Sequence, residues 1–264
     1  TCGASASLNI IFKSIIEPND EIIVNIPYFP EYKVFIEGQG GKPVFVKCSE
    51  NLCLDISEIE NKINENTKAI LINSPNNPSG VIYPKENLSA LTELLERKQN
   101  EYSHPIFLIS DEPYRELVYV EKKVPWVPDF IENSVVVYSY SKSLSLAGER
   151  IGWLLIPDEC AYSKELIGAC TISNRAIGCV NAPSLMQKLI EVCPDAKVDI
   201  SFYDKNRTVL YNGLKKLGFE MIYPEGGFYI FLKTPIEEQS FIEKCKKTFN
   251  DAREVFLECK DEFA

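Results

Sequence analysis

The chain has 264 residues, of which 45% are hydrophobic and 25% are charged, a composition typical of a globular protein with a substantial core. Its 38 acidic and 28 basic residues give a net charge of −10. This balance argues against nucleic acid or an anionic membrane as the main partner, because phosphate binding favours clustered basic residues. No run approaches the roughly 18 apolar residues of a membrane span, so none is predicted.

Nine cysteines are scattered along the chain, mostly among apolar neighbours. An odd and dispersed set favours free thiols in a reducing cytoplasm over a disulfide framework. Only one histidine is present, and the close pair Cys48 and Cys53 has no second pair nearby, so a zinc site is not expected. The first residues, TCGAS, lack the charged and apolar regions of a signal peptide, and a cytoplasmic location is predicted.

Short apolar runs alternate with helix-like stretches over the first two-thirds of the chain. These patterns predict helices at residues 5–16, 57–63 and 85–98, and strands at residues 21–26, 43–47, 68–73, 106–110, 135–139 and 152–156. The alternation predicts an α/β fold with a mostly parallel sheet sandwiched by helices. The near-continuous apolar run at residues 69–72 agrees with a strand that is buried on both faces.

The pattern changes after Asn181. It predicts helices at residues 184–192, 201–217 and 237–249, and strands at residues 220–223 and 228–233 that are joined by a PEGG turn. This arrangement indicates a smaller α+β unit, with a boundary near residues 183–197. We therefore expect a large domain at residues 1–190 and a small C-terminal domain at residues 191–264.

Residues 139–152 read SYSKSLSLAGERIG and follow a β-branched run that predicts a buried strand. A strand that ends in hydroxyl residues and then presents Lys142 places an amine beside groups that bind an anion. Arg150 follows eight positions later, and Gly148 and Gly152 let the backbone bend back toward the lysine. Taken alone, the segment is also compatible with a solvated loop that carries a surface lysine.

Other polar segments stand beside predicted elements in the same way. NSPNNPSG at residues 73–80, SDEPY at residues 110–114 and IPYFPEY at residues 26–32 each overlap or follow the end of a predicted strand. The carboxyl edge of an open α/β sheet is where such folds bind ligands. The small residues of TCGASAS open a helix, and the free N–H groups at a helix N-terminus bind anions.

Together and in this order, these segments resemble those of the class I/II (fold-type I) aminotransferases, especially the aspartate aminotransferase-like members. The resemblance covers about residues 1–233 and includes EGGFY at residues 225–229. It implies a large domain that binds pyridoxal 5'-phosphate (PLP), with the cofactor held on Lys142 as a Schiff base.

The resemblance also implies a role for each candidate residue. Lys142, Asp111 and Tyr114 are the implied catalytic residues: the lysine moves a proton, the aspartate pairs with the pyridine nitrogen, and the tyrosine binds the phenolic oxygen. The other implied cofactor contacts are the backbone of Gly3, Ala4 and Ser5, the stacking ring of Phe29, the amide of Asn77, and the phosphate-binding groups of Ser139, Ser141 and Arg150. Tyr28 is a second candidate for the aromatic contact.

By the same resemblance, the protein is expected to be a homodimeric aminotransferase. It would move the amino group of an aspartate-like or aromatic α-amino acid to a 2-oxo acid. Several alternatives stay open, because one fold serves several reactions. They are a PLP-dependent carbon–sulfur β-lyase or decarboxylase, a non-catalytic PLP-binding sensor domain, and a purely structural α/β domain.

The chain departs from the family at both ends. Relatives begin well before a segment such as TCG, and after the last small-domain helix they have a strand whose arginine binds the substrate α-carboxylate. Residues 249–256 do not match that strand, and neither Arg253 nor Arg175 can be assigned this role. We therefore expect the sequence to be a fragment or incomplete.

Overall fold

The computed structural model describes residues 1–234, 240 and 242–248. Its centre is a six-stranded sheet with the spatial order β2-β1-β3-β4-β5-β6. Strands β1 to β5 are parallel, and β6 runs antiparallel to β5. The strands are β1 (Glu21–Ile26), β2 (Lys42–Lys47), β3 (Thr67–Asn73), β4 (Phe107–Asp111), β5 (Ser134–Ser139) and β6 (Gly152–Leu155). The predicted α/β fold with a mostly parallel sheet is confirmed.

Helices cover both faces of this sheet. They are α1 (Ala4–Ile15), α2 (Glu31–Glu37), α3 (Ile56–Glu60), α4 (Lys85–Tyr102), α5 (Tyr140–Ser143), α6 (Ser163–Ala176), α7 (Ser184–Val192) and α8 (Ile200–Lys216). Alternate residues of β3 point to opposite faces, as the two-residue period of a strand requires. Ala69 and Leu71 lie in the core beneath α1 and α6, whereas Ile70 and Ile72 lie in the core beneath α4.

In the first two-thirds of the chain, the main helix that the sequence pattern did not predict is α6. This helix begins after Tyr162, whose side chain makes no capping hydrogen bond, and it carries Gly168 in its interior. Neither feature predicts a helix, because capping side chains mark helix starts and glycine disfavours helix interiors. Packing against α1, which includes a 2.9 Å hydrogen bond between the hydroxyls of Ser14 and Ser173, stabilises it instead.

The C-terminal strands are shorter than predicted. They are β7 (Glu220–Met221) and β8 (Leu232–Lys233), paired antiparallel. The intervening turn contacts the rest of the molecule: Glu225 N donates to Gly80 O at 2.8 Å and Gly227 N donates to Leu117 O at 2.9 Å. Tertiary contacts thus fix the backbone of the turn.

The predicted helix at residues 237–249 lies partly outside the described residues, and within them residues 242–248 are helical. No helix in the described part of the chain is both long and apolar enough to cross a membrane. Neither observation bears on the predicted division of the chain at residues 190 and 191, which stays a prediction.

The register of the sheet brings three strand ends to one edge. Asn73 at the end of β3 pairs with Asp111 at the end of β4, and Asp111 pairs with Val137 of β5. Because parallel strands end at the same edge, the polar residues that follow them converge there. This edge carries the candidate site.

Candidate active site

A cavity of about 220 Å³ lies at the carboxyl edge of β3, β4 and β5. Ten of the eleven residues predicted as catalytic or cofactor-binding line it: Ala4, Ser5, Phe29, Asn77, Asp111, Tyr114, Ser139, Ser141, Lys142 and Arg150. Leu8, Tyr32, Asn73, Pro113, Ala147 and Tyr229 complete its wall. The structure thus brings together residues that lie as far as 225 positions apart, from Ala4 to Tyr229.

The eleventh predicted residue, Gly3, lies against the guanidinium of Arg150. A Cβ atom on Gly3 would stand 3.0 Å from Arg150 Nη2, and the positive φ of 87° at Gly3 favours glycine. Thr1 is fixed to β6 by two hydrogen bonds: Thr1 N donates to Gly152 O at 2.9 Å, and Gly152 N donates to Thr1 O at 3.1 Å. The start of α1 and Arg150 therefore form one end of the site.

Hydroxyl groups stand at the same end. Ser139 is the N-cap of the short helix α5, and its Oγ accepts a hydrogen bond from Ser141 N at 3.2 Å. The two serine hydroxyls lie 2.7 Å apart. Two hydroxyls, the N-terminal N–H groups of α1 and one guanidinium together provide the donors that a phosphate group requires.

Lys142 lies within the short helix α5, whose N-cap is Ser139. Its Nζ lies 5.8 Å from the centre of the Phe228 ring, within the range of a cation–π contact. The amine therefore lies close to the C-terminal segment that contributes Tyr229 to the cavity wall.

Asp111 is the buried acid of the site. Tyr32 donates a 2.6 Å hydrogen bond to its Oδ2, whereas Oδ1 is buried and has no hydrogen-bond partner. Burial raises the pKa of this carboxyl to about 7, against the lowering effect of the Tyr32 bond, and nearby Glu112 raises it further. A buried oxygen without a partner is costly, so Oδ1 is suited to a donor that enters with the ligand.

Tyr114 and Asn77 form a second polar pair in the cavity. The Tyr114 hydroxyl lies 2.9 Å from that of Tyr229 and accepts a hydrogen bond from the Asn77 side chain. Burial raises the pKa of Tyr114 well above its usual value, so the hydroxyl keeps its proton. Asn77 is itself held by its backbone N–H, which donates to Asn73 Oδ1 at 2.6 Å.

Some candidates of the sequence analysis lie elsewhere. Tyr28 stacks on Phe45, with ring centres 4.8 Å apart, and does not line the cavity, whereas Phe29 does. Arg175 lines a separate groove beside β6 and α6. Arg253 lies outside the described residues.

Three polar residues of the cavity wall were not singled out from the sequence: Tyr32, Asn73 and Tyr229. Tyr32 lies in the first turn of α2, where its N–H donates to Phe29 O at 3.0 Å and its ring meets that of Phe29 edge to face at 5.4 Å. Tyr229 belongs to the EGGFY motif, which marked the segment but not its place in the site. Docking of the 224–227 turn brings Tyr229 to Tyr114.

A sequence profile for aminotransferase class I and II matches residues 1–254. The chain belongs to this family. The aspartate aminotransferase of Thermotoga maritima is 30% identical over 248 residues, which make up 92% of this chain and 63% of that protein. The aspartate aminotransferase of Bacillus subtilis is 34% identical over 87% of this chain and 58% of its own length. The chain therefore spans about three-fifths of these class I and II relatives.

Solved structures agree with this membership. An amino transferase from Eubacterium rectale has a TM-score of 0.91 and 47% identity, covering 94% of this chain and 63% of that one. The Thermotoga maritima aspartate aminotransferase has a TM-score of 0.78 and 31% identity, with coverage of 92% and 63%. Both support the resemblance that the sequence motifs predicted.

Members of this class I and II family use PLP. The residues of the site fit that cofactor. The buried, unpaired Oδ1 of Asp111 matches a protonated pyridine nitrogen, and the donors around Arg150 match a phosphate group. Lys142 supplies an amine in the same cavity.

Proposed function

We propose that the whole protein is a PLP-dependent aminotransferase that moves the amino group of an α-amino acid to a 2-oxo acid. One observation carries the proposal. Lys142 and Asp111 line the same cavity, and Oδ1 of Asp111 is buried with no hydrogen-bond partner. Membership of the aminotransferase family supports the same conclusion.

The residues that would hold the cofactor divide by its functional groups. The backbone N–H groups of Gly3, Ala4 and Ser5, the hydroxyls of Ser139 and Ser141, and the guanidinium of Arg150 would bind the phosphate. Phe29 would stack on the ring. Asn77 and Tyr114 would bind the phenolic oxygen, and Asp111 would bind the ring nitrogen.

When bound, PLP supplies an electron sink that stabilises negative charge at the substrate Cα. Asp111 would keep the ring nitrogen protonated, because an ionised carboxylate in a buried site favours a positive partner. Lys142 would hold the cofactor through its Nζ and, when that amine is free, would serve as the base for the substrate Cα proton. Tyr114 holds a proton beside the phenolic oxygen, since burial keeps its hydroxyl neutral.

For the substrate we propose an aspartate-like or aromatic amino acid. The names of similar proteins support this choice: they include aspartate aminotransferases and a probable aspartate/prephenate aminotransferase of Thermus aquaticus. Tyr229 in the cavity wall and Phe228 near Lys142 are aromatic residues that are compatible with either class of substrate. A homodimer, a cytoplasmic location and a division into domains at residues 1–190 and 191–264 complete the proposal.

Cofactor attachment is tested at Lys142. Protein mixed with PLP, reduced with borohydride and digested should carry the cofactor mass on the peptide that contains Lys142, and Lys142→Ala should lose this adduct. Lys164→Ala, which removes an exposed lysine of α6, should retain it. The assignment is wrong if the Lys142→Ala protein still carries a stoichiometric, reducible adduct at another lysine.

The reaction is tested with the full-length protein and a panel of amino acids plus 2-oxoglutarate. A transaminase forms glutamate and the matching 2-oxo acid. Release of pyruvate and ammonia from cysteine or cystathionine would instead identify a carbon–sulfur β-lyase, and binding of PLP without turnover would identify a sensor. Light scattering on the same preparation measures whether it is a dimer.

A further inference from the structure

The strongest unassigned feature is a pair of thiols beside the phosphate end of the cavity. The Cys2 thiol donates to Cys179 O at 3.8 Å and to Asn181 O at 3.4 Å. It also lies within hydrogen-bond reach of the Cys179 thiol. The two cysteines are 177 positions apart in sequence, so the fold alone brings them together.

Both thiols are open to solutes. Cys2 and Cys179 are partly exposed, and their neighbours Thr1, Val180 and Asn181 line an open groove of about 680 Å³. The loop that carries Cys179 follows α6 and lies outside regular secondary structure, with positive φ angles at Gly178 and Val180. A small oxidant can therefore reach the pair without unfolding the sheet.

The surroundings differ for the two sulfurs. Cys2 is partly exposed and lies two residues before the first residue of helix α1. Burial raises the pKa of the Cys179 thiol, and the neighbouring Cys2 raises it further, while Arg150 acts in the opposite direction. The raised pKa makes Cys179 the slower attacking thiol, so we assign the first attack to Cys2 and the resolving step to Cys179.

We propose that Cys2 and Cys179 form a reversible disulfide that weakens binding of phosphate at the adjoining cavity. This modification goes beyond the proposed function. Only its effect on PLP rests on that function, whereas the bond itself does not.

The reaction balances with a low-molecular-weight disulfide such as glutathione disulfide as the oxidant. The Cys2 thiolate attacks one sulfur and releases one glutathione thiolate. Cys179, having lost its proton to solvent, then attacks Cys2 Sγ and releases the second glutathione. The two cysteines lose two electrons and two protons, and glutathione disulfide is reduced to two molecules of glutathione.

The link to the cavity follows from chain geometry. A disulfide brings its sulfurs to about 2.05 Å, which is far closer than a thiol–thiol hydrogen bond. Closing the bond requires movement of Cys2, of the loop that carries Cys179, or of both, and any displacement of Cys2 is passed to Gly3, the next residue in the chain. Gly3 lies against Arg150 Nη2, so the spacing between the two phosphate-binding groups changes.

The bond is tested by peptide mapping of the oxidised chain after alkylation, without reduction. Trypsin releases Cys2 in residues 1–13 and Cys179 in residues 176–188, each with a single cysteine. A cross-linked pair of these peptides that disappears after dithiothreitol supports the proposal. Separate glutathionylated or alkylated peptides, with no cross-link, overturn it.

Cys48 and Cys53 provide a matched control. They lie close together, but burial raises the pKa of Cys48 to about 12, so this pair should stay reduced under the same oxidant and be alkylated once the chain is unfolded. Oxidation of both pairs at equal rates would show non-specific chemistry and would overturn the proposal of a selective site.

The effect on the cavity is measured as PLP affinity by equilibrium dialysis. Oxidation should weaken binding by about tenfold, the value of one charge-assisted hydrogen bond, and dithiothreitol should restore it. Cys179→Ser should bind PLP normally and be insensitive to oxidant. An oxidised chain with the mapped disulfide and unchanged affinity would overturn the coupling. Failure of the reduced chain to bind PLP at all would count against the proposed function, while the peptide map would still decide the disulfide.

Discussion

At the scale of single residues, the two oxygens of Asp111 have different surroundings. Tyr32 satisfies Oδ2, and nothing in the described part of the chain satisfies Oδ1. The second acid of the SDEPY motif, Glu112, is instead engaged away from the cavity, where it accepts a bond from Ser110 and pairs with Arg115. One of two adjacent carboxylates is thus left ready for a ligand.

This environment predicts how pH affects the cofactor-free protein. The raised pKa of about 7 means that the folded chain holds a proton at Asp111 which the unfolded chain, with a pKa near 3.8, releases. Stability contributed by that proton is present below about pH 4 and is lost as pH rises to about 7. At pH 8, Asp111→Asn should raise the free energy of unfolding by up to about 4 kcal/mol.

Urea unfolding at pH 4, 6 and 8 without PLP measures this difference. The gain from Asp111→Asn should shrink toward zero at pH 4, because the native carboxyl is then neutral as well. A difference that does not change with pH would show that burial of the charge is not its cause. The same variant should bind PLP more weakly, since a neutral amide does not favour a protonated ring nitrogen.

Much of the site was predictable residue by residue. Asp111, Asn77 and Lys142 each lie at or just beyond the end of an apolar strand, and a parallel sheet sends such positions to one edge. Tyr28 and Phe29 could not be told apart in this way, because adjacent aromatics in a turn have no periodic pattern. Packing of Tyr28 on Phe45 decides between them.

At the scale of elements, the start of β6 is where three segments meet. A Cβ atom on Gly152 would lie 2.2 Å from Tyr138 O in β5 and 2.9 Å from Gly3 Cα. Only glycine fits this contact, which lets Thr1, β5 and β6 pack together at the phosphate end of the cavity.

Gly152→Ala should therefore lower the free energy of unfolding by about 1–3 kcal/mol, the usual cost of overpacking. It should also weaken PLP binding, because relief of the clash displaces Gly3. Gly148→Ala is the matched control, since a Cβ there meets nothing within 4 Å. Urea unfolding and PLP titration of both variants make the comparison; equal effects at the two glycines would refute the proposed role of the close contact.

The strands of the large sheet were predictable from sequence to within about one residue, because buried parallel strands are continuous apolar runs. The C-terminal hairpin was not. Its predicted strands at residues 220–223 and 228–233 shorten to two residues each. The backbone of the intervening turn at residues 225–227 bonds to Gly80 and Leu117, which are tertiary contacts that local sequence does not show.

At the scale of the whole molecule, the turn at residues 224–227 joins the C-terminal part of the chain to the sheet. Glu225 accepts bonds from Ile82 N and from Lys122 Nζ, each at 2.9 Å. The guanidinium of Arg207 lies between the rings of Tyr119 and Tyr223, at 4.8 and 4.3 Å from their centres. These contacts fix the turn at residues 224–227, and the fixed turn places Tyr229 in the cavity wall.

Glu225→Ala should lower the free energy of unfolding by about 1–3 kcal/mol, because it removes an ion pair and leaves the Ile82 N–H without its acceptor. Glu220→Ala, which breaks the exposed pair with Lys233, should cost under about 1 kcal/mol. Chemical unfolding of both variants tests the contrast. A larger loss for Glu220→Ala would show that the turn does not anchor the C-terminal part.

The cavity wall draws on residues from Ala4 to Tyr229, so its contacts span most of the described chain. A nascent polypeptide emerging from the ribosome can form the early strands of the sheet first, but it lacks the last wall until Tyr229 has left the exit tunnel. Enclosure of a small molecule at this site is accordingly a late event that follows synthesis of Tyr229.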